Sequence, residues 1–291
     1  MFRIGILGSD NSHALAFSKL CNIADADGHY LYDDVRITAI YGRDDDPAHT
    51  VQVAEEGKIE FIAEKPDDFF GRVDAVMVVY RNGSYHVQDA LPFLEKRIPV
   101  WIDKPIASST ADIDKLRRAW QKRGGLISGG STIKYNYDIL TAKNRIESGF
   151  FGSVLGGCMN FPGDFSNRYE GLYFYGSHLV EMMLTVFGYN PRSLIAAKAA
   201  ENKISVIVRY DAFQVVLNFV DSGDYFITVY GDARSLTQQM DISVIYRLGF
   251  DKFVDMLRSG RMPLTFDDLV KPVYILDAIY KSVESGGEIL L

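Results

Sequence analysis

The first 130 residues repeat one local pattern, a short apolar run followed by a turn and a stretch of helical spacing. The first run is FRIGIL at residues 2–7, which ends at Gly8, and apolar side chains at helical spacing follow over residues 13–23. The pattern returns after the apolar runs at residues 35–41, 75–79 and 100–102. Strands that alternate with helices favour a parallel sheet covered by helices on both faces. We therefore expect an α/β domain over residues 1–130.

The pattern changes after Gly130. A helix is predicted near residues 135–148, and strands in meander order are predicted at residues 154–161, 205–210, 214–219 and 225–230. Val206 and Val208 alternate with polar positions, which is typical of an antiparallel sheet with one solvated face. Two last helices, near residues 250–258 and 266–282, pack either across this sheet or onto the first domain. We assign residues 131–291 to a second, α+β domain with a mostly antiparallel open sheet.

Composition disfavours some classes of partner. The formal net charge is -7 and no Lys/Arg-rich tract is present, whereas nucleic-acid binding needs clustered cations. No apolar stretch is long enough to span a membrane, and residues 1–4 run directly into the first strand without a signal-like leader. Cys21 and Cys158 lack the spacing of a redox or zinc motif. We expect a cytoplasmic protein with two buried, reduced thiols and neither a nucleic-acid nor a membrane partner.

The segment VWIDKP at residues 100–105 ends an apolar strand on an acid, a lysine and a proline. Such an end presents Lys104 at the carboxyl edge of the sheet, where open α/β sheets bind their ligands. Pro105 fixes φ and lacks an N–H, so the turn is stiff and the lysine is held in one direction. The alternative is a solvated strand end followed by an ordinary loop.

The turn after the first strand lies where a dinucleotide pyrophosphate binds to backbone N–H groups and a helix N-terminus. It reads Gly8, Ser9, Asp10, Asn11, Ser12 and His13. Only Gly8 clearly fits the glycine pattern, because Asp10 takes the second glycine's place and Ser12-His13 the third's. An inward Asp10 carboxylate would repel a pyrophosphate, whereas a helix cap by Asn11 or Ser12 would turn it outward. The alternative is a plain helix cap that binds no ligand.

The turn after the second strand bears on the choice between NAD and NADP. Gly42 stands where an acid would hold a ribose 2′-hydroxyl, and Arg43 beside it suits a 2′-phosphate. This combination favours NADP slightly. The alternative is that Arg43 pairs at the surface with the acids at residues 44–46.

Together these motifs resemble the Gfo/Idh/MocA oxidoreductases, the family of glucose-fructose oxidoreductase and inositol dehydrogenase. The resemblance covers nearly the whole chain and includes residues 73–76, 175–178, 253–260 and 276–282. It implies a Rossmann dinucleotide-binding domain followed by a substrate and oligomerisation domain. The residues that it assigns to NAD(P) binding are Gly8, Ser9, Asp10, Asn11, Ser12, His13, Arg43, Tyr80, Arg81, Asn82, His86, Lys104 and Pro105.

The resemblance also implies two catalytic residues. The family's Glu-Lys-Pro motif is Asp103-Lys104-Pro105 here, which places Lys104 by the nicotinamide and the substrate hydroxyl, with Asp103 in support. A desolvated lysine near another cation has a lowered pKa and exchanges protons near neutrality. His178 corresponds to the family's acid/base histidine. Glu181 shares its helix face at i+3 and would orient the imidazole.

One position departs from the family pattern, because Phe174 stands where relatives carry an acid. Tyr173 and Tyr175 flank it and are assigned to substrate binding, since a phenol can hydrogen-bond a sugar hydroxyl or stack on a sugar face. Lys134 is assigned to the substrate as well, with a surface lysine as the alternative. For His178 the alternative is a helix histidine that is merely satisfied by Glu181.

The function implied by the resemblance is hydride transfer between a nicotinamide and a secondary hydroxyl or ketone of a sugar, polyol or related polar compound. Two alternatives are a non-catalytic binding module for a small molecule or protein, and non-redox chemistry in which bound nicotinamide is recycled. A homodimer or homotetramer is expected through the sheet face of Val206, Val208, Val216, Ile227 and Val229, or through the residues that alternate with them. No metal site is expected, because His13, His29 and His49 lack a ligand pattern.

Overall fold

The computed structural model describes residues 1–43 and 46–291, which form two compact units. The first unit comprises Met1–Ala107, Ala111–Gly130 and Tyr246–Phe266, and the second comprises Ser108–Thr110, Ser131–Ile245 and Asp267–Leu291. Both units contain a sheet, parallel in the first and mostly antiparallel in the second, so the predicted fold class is confirmed. The predicted division differs from the structure at residues 108–110, which belong to the second unit, and at residues 246–266, which belong to the first.

The first unit is a doubly wound α/β fold. Its strands are β1 (Phe2–Leu7), β2 (Val35–Tyr41), β3 (Phe61–Ile62), β4 (Ala75–Val78), β5 (Val100–Asp103) and β6 (Ile127–Gly130). Its helices are α1 (Ser12–Asn22), α2 (Pro47–Glu56), α3 (His86–Glu95), α4 (Thr110–Arg123) and α7 (Ile245–Ser259). The strands pair in parallel in the order β3-β2-β1-β4-β5-β6. The order reverses between β1 and β4, so the turns after these strands border the crevice where such sheets bind ligands.

Aromatic packing explains why α7 belongs to the first unit. Phe250 stacks on Phe17 of α1 with ring centroids 5.6 Å apart, and Phe253 meets Trp101 of β5 edge to face at 5.8 Å. All four side chains are fully buried. Burying such large apolar surfaces is the main favourable contribution to packing a helix on a sheet. The sequence left open which domain this helix joins, and these contacts decide it.

The second unit is built on a seven-stranded sheet in the order β12-β11-β7-β10-β9-β8-β13. The strands are β7 (Val154–Phe161), β8 (Ser193–Ala200), β9 (Lys203–Arg209), β10 (Gln214–Phe219), β11 (Phe226–Gly231), β12 (Ser235–Gln239) and β13 (Ile289–Leu290), and the helices are α5 (Tyr137–Glu147), α6 (Leu172–Phe187) and α8 (Phe266–Ser285). The predicted meander order is wrong, because β7 lies between β10 and β11 and runs parallel to β10. Long-range pairing of this kind has no local sequence signal.

The two faces of the second sheet differ in burial. Val206, Val208, Ile227 and Val229 are buried on the face that packs on α6, whereas Val216 lies on the opposite face and is only half-buried. The five residues expected to share one oligomer face therefore lie on two. The strand register places one row across the open face, formed by Ile195, Ile207, Val216, Cys158, Thr228 and Thr237. Cys158 is thus half-buried rather than buried, and Cys21 is fully buried.

Candidate active site

The turn between β1 and α1 is held by side-chain hydrogen bonds to its own backbone and to the segment that follows β4. Asn11 is the N-cap of α1, accepting from the backbone N of His13 at 2.6 Å and donating to the carbonyl of Val79 at 2.5 Å. The Asp10 carboxylate accepts the backbone N–H of Arg81 at 3.0 and 3.1 Å. Asn11 is therefore the capping residue, and the Asp10 carboxylate is directed to the end of β4.

Two glycines in this region allow close approaches that a side chain would prevent. Gly8 has a φ of +115°, and a Cβ there would lie 2.8 Å from the backbone N of Tyr80. A Cβ at Gly42 would lie 1.9 Å from the Thr50 hydroxyl and 2.7 Å from the Ser9 hydroxyl. These two hydroxyls are hydrogen-bonded to each other at 2.7 Å. The acid that reads a ribose 2′-hydroxyl in other dinucleotide sites has no room at position 42 on this backbone.

Arg43 is positioned by contacts within the first unit. Its guanidinium donates to Asp89 at 3.1 Å and lies 4.1 Å from the centre of the Tyr85 ring. Asp44 and Asp45, which the sequence offered as surface partners of this arginine, lie outside the described residues. Arg43 thus stands next to Gly42 with its guanidinium stacked on an aromatic ring.

Asp103 and Lys104 are buried at the end of β5, being 1% and 6% exposed. The alternative of a solvated strand end is therefore wrong. The pKa of Lys104 is lowered to about 8, chiefly by burial; Asp103 and Asp10 oppose this shift and Arg81 adds to it. The direction agrees with the expectation for a desolvated lysine near a second cation. The bond between Lys104 and Pro105 is cis.

The structure pairs His13 with Asp103, a contact that the sequence reasoning missed. The Nδ1 atom of His13 is hydrogen-bonded to a carboxylate oxygen of Asp103. Burial alone would raise the pKa of Asp103, but the charge and hydrogen bond of His13, together with Lys104, lower it overall. The available signal was a histidine at the third glycine position and an acid at the end of β5, which lies in the same parallel sheet with β4 between it and β1.

The remaining cofactor candidates of the first unit surround the same edge of the sheet. His86 is fully buried, with Nδ1 2.6 Å from the Pro105 carbonyl and Nε2 2.8 Å from the Tyr80 carbonyl. Burial lowers the pKa of His86, so the neutral ring donates to one of these carbonyls at a time. Asn82 caps a short 3₁₀ turn by accepting from Ser84 N at 3.0 Å. Ser12 is exposed.

In the second unit, His178 belongs to a buried polar network. Lys134 donates to one carboxylate oxygen of Glu181 at 2.7 Å, and the backbone N of Ser131 donates to the other at 2.8 Å. The Ser131 hydroxyl is 2.6 Å from Nδ1 of His178. All four side chains are at most 7% exposed. Ser131, which the sequence reasoning missed, is thus a direct partner of the imidazole, and Glu181 holds the backbone of that serine.

Lys134 is not a surface lysine, since its side chain is 2% exposed. Burial alone would lower its pKa, but the Glu181 carboxylate opposes this so strongly that the pKa is raised. The ammonium group is therefore held in its charged form in an ion pair with Glu181.

The aromatic residues around Phe174 occupy distinct places. Tyr173 is buried and stacks on Tyr280 of α8 at 5.5 Å, and burial raises the pKa of its phenol. Tyr175 is exposed, and its ring centre lies 5.6 Å from that of His178. Phe174 packs on Tyr175 at 4.9 Å. Of the two tyrosines assigned to the substrate, Tyr175 is the one beside His178.

One cluster of possible metal ligands occurs within residues 1–43 and 46–291, formed by Asp25, Asp27 and His29 after α1. All three are exposed, and the Asp25 carboxylate accepts from the backbone N of Asp27 at 3.0 Å and of His29 at 2.9 Å. These bonds are those of a turn-forming aspartate. The sequence reasoning missed this grouping.

The first unit is a doubly wound parallel sheet with a buried lysine at its carboxyl edge, and the second is an α+β unit with a buried histidine network. Residues 2–131 match the family model GFO_IDH_MocA, described as "Oxidoreductase family, NAD-binding Rossmann fold". Over these residues the chain is similar to the Gfo/Idh/MocA oxidoreductases. The resemblance predicted from the sequence is thereby confirmed. None of the described helices is long and apolar enough to cross a membrane.

Three of the similar proteins show how far the similarity extends. The chain is 25% identical over 286 residues to scyllo-inositol 2-dehydrogenase (NADP(+)) IolW of Bacillus subtilis, a match covering 90% of this chain and 73% of the relative. It is 27% identical over 124 residues to 2,7-anhydro-N-acetylneuraminate hydratase of Mediterraneibacter gnavus, covering 42% of this chain but only 32% of the relative. The crystal structure of GenD2 from gentamicin A biosynthesis in complex with NAD superposes with a TM-score of 0.83 at 18% identity, covering 100% and 96% of the two chains. This last match shows the fold alone.

Proposed function

We propose that this protein is an NAD(P)-dependent oxidoreductase that moves hydride between a nicotinamide and a secondary hydroxyl or ketone of a polyol, sugar or related polar compound. The observation that carries the proposal is Lys104, a buried lysine with a pKa of about 8 at the carboxyl edge of the parallel sheet. The polyol class is taken from the relatives, one of which is named as an inositol dehydrogenase.

The first unit fits a bound dinucleotide. Gly8 brings the end of β1 close to Tyr80, as a pyrophosphate turn requires, and α1 directs its N-terminus to the same turn. The Asp10 carboxylate, at the place of the second glycine, accepts the backbone N–H of Arg81, and this contact supports the proposal. The nicotinamide, when bound, supplies the hydride chemistry.

Four features support NADP over NAD. Position 42 has no room for an acid, Arg43 follows it, and the hydroxyls of Ser9 and Thr50 lie beside it. A guanidinium and two hydroxyls are suitable groups for a 2′-phosphate. Exchanging Arg43 for Gln should therefore weaken NADPH binding and leave NADH binding nearly unchanged, as measured by nicotinamide fluorescence. Equal weakening of both would remove the preference for NADP.

The catalytic roles follow from the surroundings of each residue. Lys104, with its lowered pKa, holds the substrate hydroxyl and takes part in its proton transfer. His178 exchanges a proton with the substrate through Nε2, because its Nδ1 is hydrogen-bonded to Ser131. Glu181 and Lys134 hold Ser131 in place. Tyr175, exposed beside His178, offers a phenol to a polar substrate.

A second candidate function is a non-catalytic binding module. The observation that favours it is Phe174, which occupies the family's acid position and packs on aromatic neighbours instead. Non-redox chemistry with recycled nicotinamide is a third candidate, and one relative is named as a hydratase.

We also propose a homodimer or homotetramer that forms through the open face of the second sheet. The support is the row described above, where Ile207, Val216 and Cys158 lie side by side and are only half-buried. A Val216→Lys variant should be smaller than the wild type in light scattering. A wild type that is already monomeric at micromolar concentration would contradict the proposal.

The test of the proposed function is a titration of the protein with NADH and NADPH, followed by nicotinamide fluorescence and by melting temperature. Binding should then be followed by a screen of inositols and sugars for nicotinamide reduction. The matched variant is Lys104→Met, which should bind the dinucleotide and lose turnover. If neither dinucleotide binds in its reduced or oxidised form, the binding module becomes the better assignment.

A further inference from the structure

A cavity of about 990 Å³ lies in the first unit, at the edge of the parallel sheet where the strands begin. It is lined by the first residues of β1, β2 and β3, by the segment before β4 and by the end of α1. The turn between β1 and α1 follows the other end of β1, so roughly 17 Å of strand separates it from this cavity. The charged side chains of the lining are Arg3, Arg36, Lys58, Glu60 and Arg72.

This lining is positively charged in a chain whose formal net charge is -7. Arg3 is neutralised by Asp74, to whose carboxylate its guanidinium donates at 2.9 and 3.0 Å. The cations Arg36, Lys58 and Arg72 form no ion pair with any residue among 1–43 and 46–291. Glu60 is the one carboxylate that lines the cavity with them. The cavity therefore suits a ligand that brings at least two negative charges.

Both unpaired arginines are held against aromatic rings of the same lining. The Arg36 guanidinium lies 3.8 Å from the centre of the Tyr30 ring, and its Nη1 donates to two backbone carbonyls at 2.5 and 2.6 Å. The Arg72 guanidinium lies 4.4 Å from the centre of the Phe61 ring. A guanidinium stacked on a ring still offers the N–H groups in its own plane to an anion. Such positioning before binding reduces the entropy lost when a ligand binds.

Lys58 has a backbone conformation that its neighbours maintain. Its φ is +53°, in the left-handed region that favours glycine. The side-chain amide of Asn22, at the end of α1, donates to the carbonyl of Gly57 at 2.9 Å and to that of Lys58 at 3.2 Å. Residues other than glycine that are held in this region by their surroundings cluster at functional sites. Here the residue so held is one of the three unpaired cations of the cavity.

We propose that this cavity is a second ligand site, which binds a small organic phosphate with at least two negative charges, such as a sugar bisphosphate. A phosphate ester carries about −1.5 to −2 charges at pH 7 and three strong acceptor oxygens. Guanidinium and ammonium groups are the side chains that bind such oxygens most strongly. The volume is at the upper end of the range of small-molecule pockets, so a ligand with two phosphates fits. None of the lining residues belongs to the proposed cofactor or substrate residues, so this inference stands apart from the proposed function.

The experiment is a calorimetric titration of the protein with fructose bisphosphate, with fructose as the uncharged control. The wild type should bind the bisphosphate and not fructose, and added salt should weaken the binding because it screens the charges. Arg72→Gln and Lys58→Asn each remove one cation, and asparagine tolerates the left-handed backbone at position 58. Each variant should bind the bisphosphate about tenfold more weakly, the usual order of effect when a hydrogen bond to a charged group is lost.

The matched control is Lys122→Gln, at an exposed lysine near the end of α4, which changes the net charge equally and should bind as the wild type does. If the wild type does not bind the bisphosphate, the proposal is wrong. Equal binding by the wild type, Arg72→Gln and Lys58→Asn would place the anion elsewhere, for example at the turn between β1 and α1. Equal weakening by Lys122→Gln would reduce the effect to general electrostatic attraction. The affinity of Arg72→Gln for NADPH should match that of the wild type, which keeps this result separate from the test of the proposed function.

Discussion

Each unit of this protein has a buried lysine near a carboxylate, and the two lysines are perturbed in opposite directions. The pKa of Lys104 is lowered to about 8, whereas that of Lys134 is raised. Lys134 donates directly to Glu181 at 2.7 Å. Around Lys104 the carboxylate of Asp103 is hydrogen-bonded to His13, and Arg81 adds a second positive charge. Burial alone does not decide the state of a lysine; the geometry of the nearest opposite charge does.

The comparison assigns different tasks to the two lysines. A lysine that titrates near neutrality is suited to proton transfer, while a lysine in a tight buried ion pair is a fixed structural cation. Four experiments would separate these tasks.

The largest effect is expected on turnover when Lys104 is replaced. Lys104→Met should lower kcat by about 10²–10⁴-fold, the usual contribution of a positioned acid or base. The dinucleotide should still bind, more weakly if Lys104 also contacts it, and the melting temperature should stay close to that of the wild type. Lys104→Arg, which keeps the charge but does not titrate, should be nearly as inactive. Full turnover by Lys104→Met would end the proposed role of this residue.

The next effect is on stability when Lys134 is replaced. Lys134→Met leaves the Glu181 carboxylate buried without its ion-pair partner and should cost about 3–5 kcal/mol of unfolding free energy. Urea denaturation measures the loss. Adding Glu181→Leu to Lys134→Met should recover much of it, because the unpaired charge is then removed. If Lys104→Met destabilises the protein more than Lys134→Met, Lys134 is not the structural cation of the two.

The pH dependence of the reaction should report Lys104. Its pKa is lowered to about 8, so the neutral amine that accepts a proton becomes populated as the pH rises through that value. The rate of alcohol oxidation should therefore increase with pH through about 8 and level off above it, while ketone reduction, which needs the protonated form, should decrease. In the Lys104→Arg variant, the residual rate should no longer change with pH near 8. A wild-type profile without a step in this region would contradict the assignment.

The smallest effect is expected at Ser131. Ser131→Ala removes the hydroxyl next to Nδ1 of His178, so the ring loses the contact that sets its tautomer. We expect kcat/KM to fall about tenfold, which is the usual effect of removing a hydrogen-bond partner that orients a metal-ligating histidine. The pH profile of kcat/KM should also shift. Ser131→Thr keeps a hydroxyl and should restore both. An Ala variant with lower stability but an unchanged pH profile would reduce Ser131 to a structural residue.

Much of the fold was predictable because it depends on local periodicity. Apolar runs alternating with helical spacing predicted the parallel sheet, and the residues of β4 are all fully buried. The second sheet was predicted as mostly antiparallel but in the wrong strand order, because the parallel pairing of β7 with β10 joins distant segments. The position of α7 depends in the same way on a long-range contact, because Phe250 packs on Phe17, which is far away in the sequence.

The sequence by itself determined the class of fold and the presence of a lysine at the end of β5, since strand periodicity and an Asp-Lys-Pro end are local features. Only the tertiary structure decided which groups meet there. His13 reaches Asp103 across 90 positions, and Ser131 reaches His178 across 47. Hydrogen bonds of this kind depend on which strands are neighbours and on how each side chain turns. The protonation state of a buried group depends on its hydrogen-bond partners, and the spacing of residues along the chain does not specify which partners it will have.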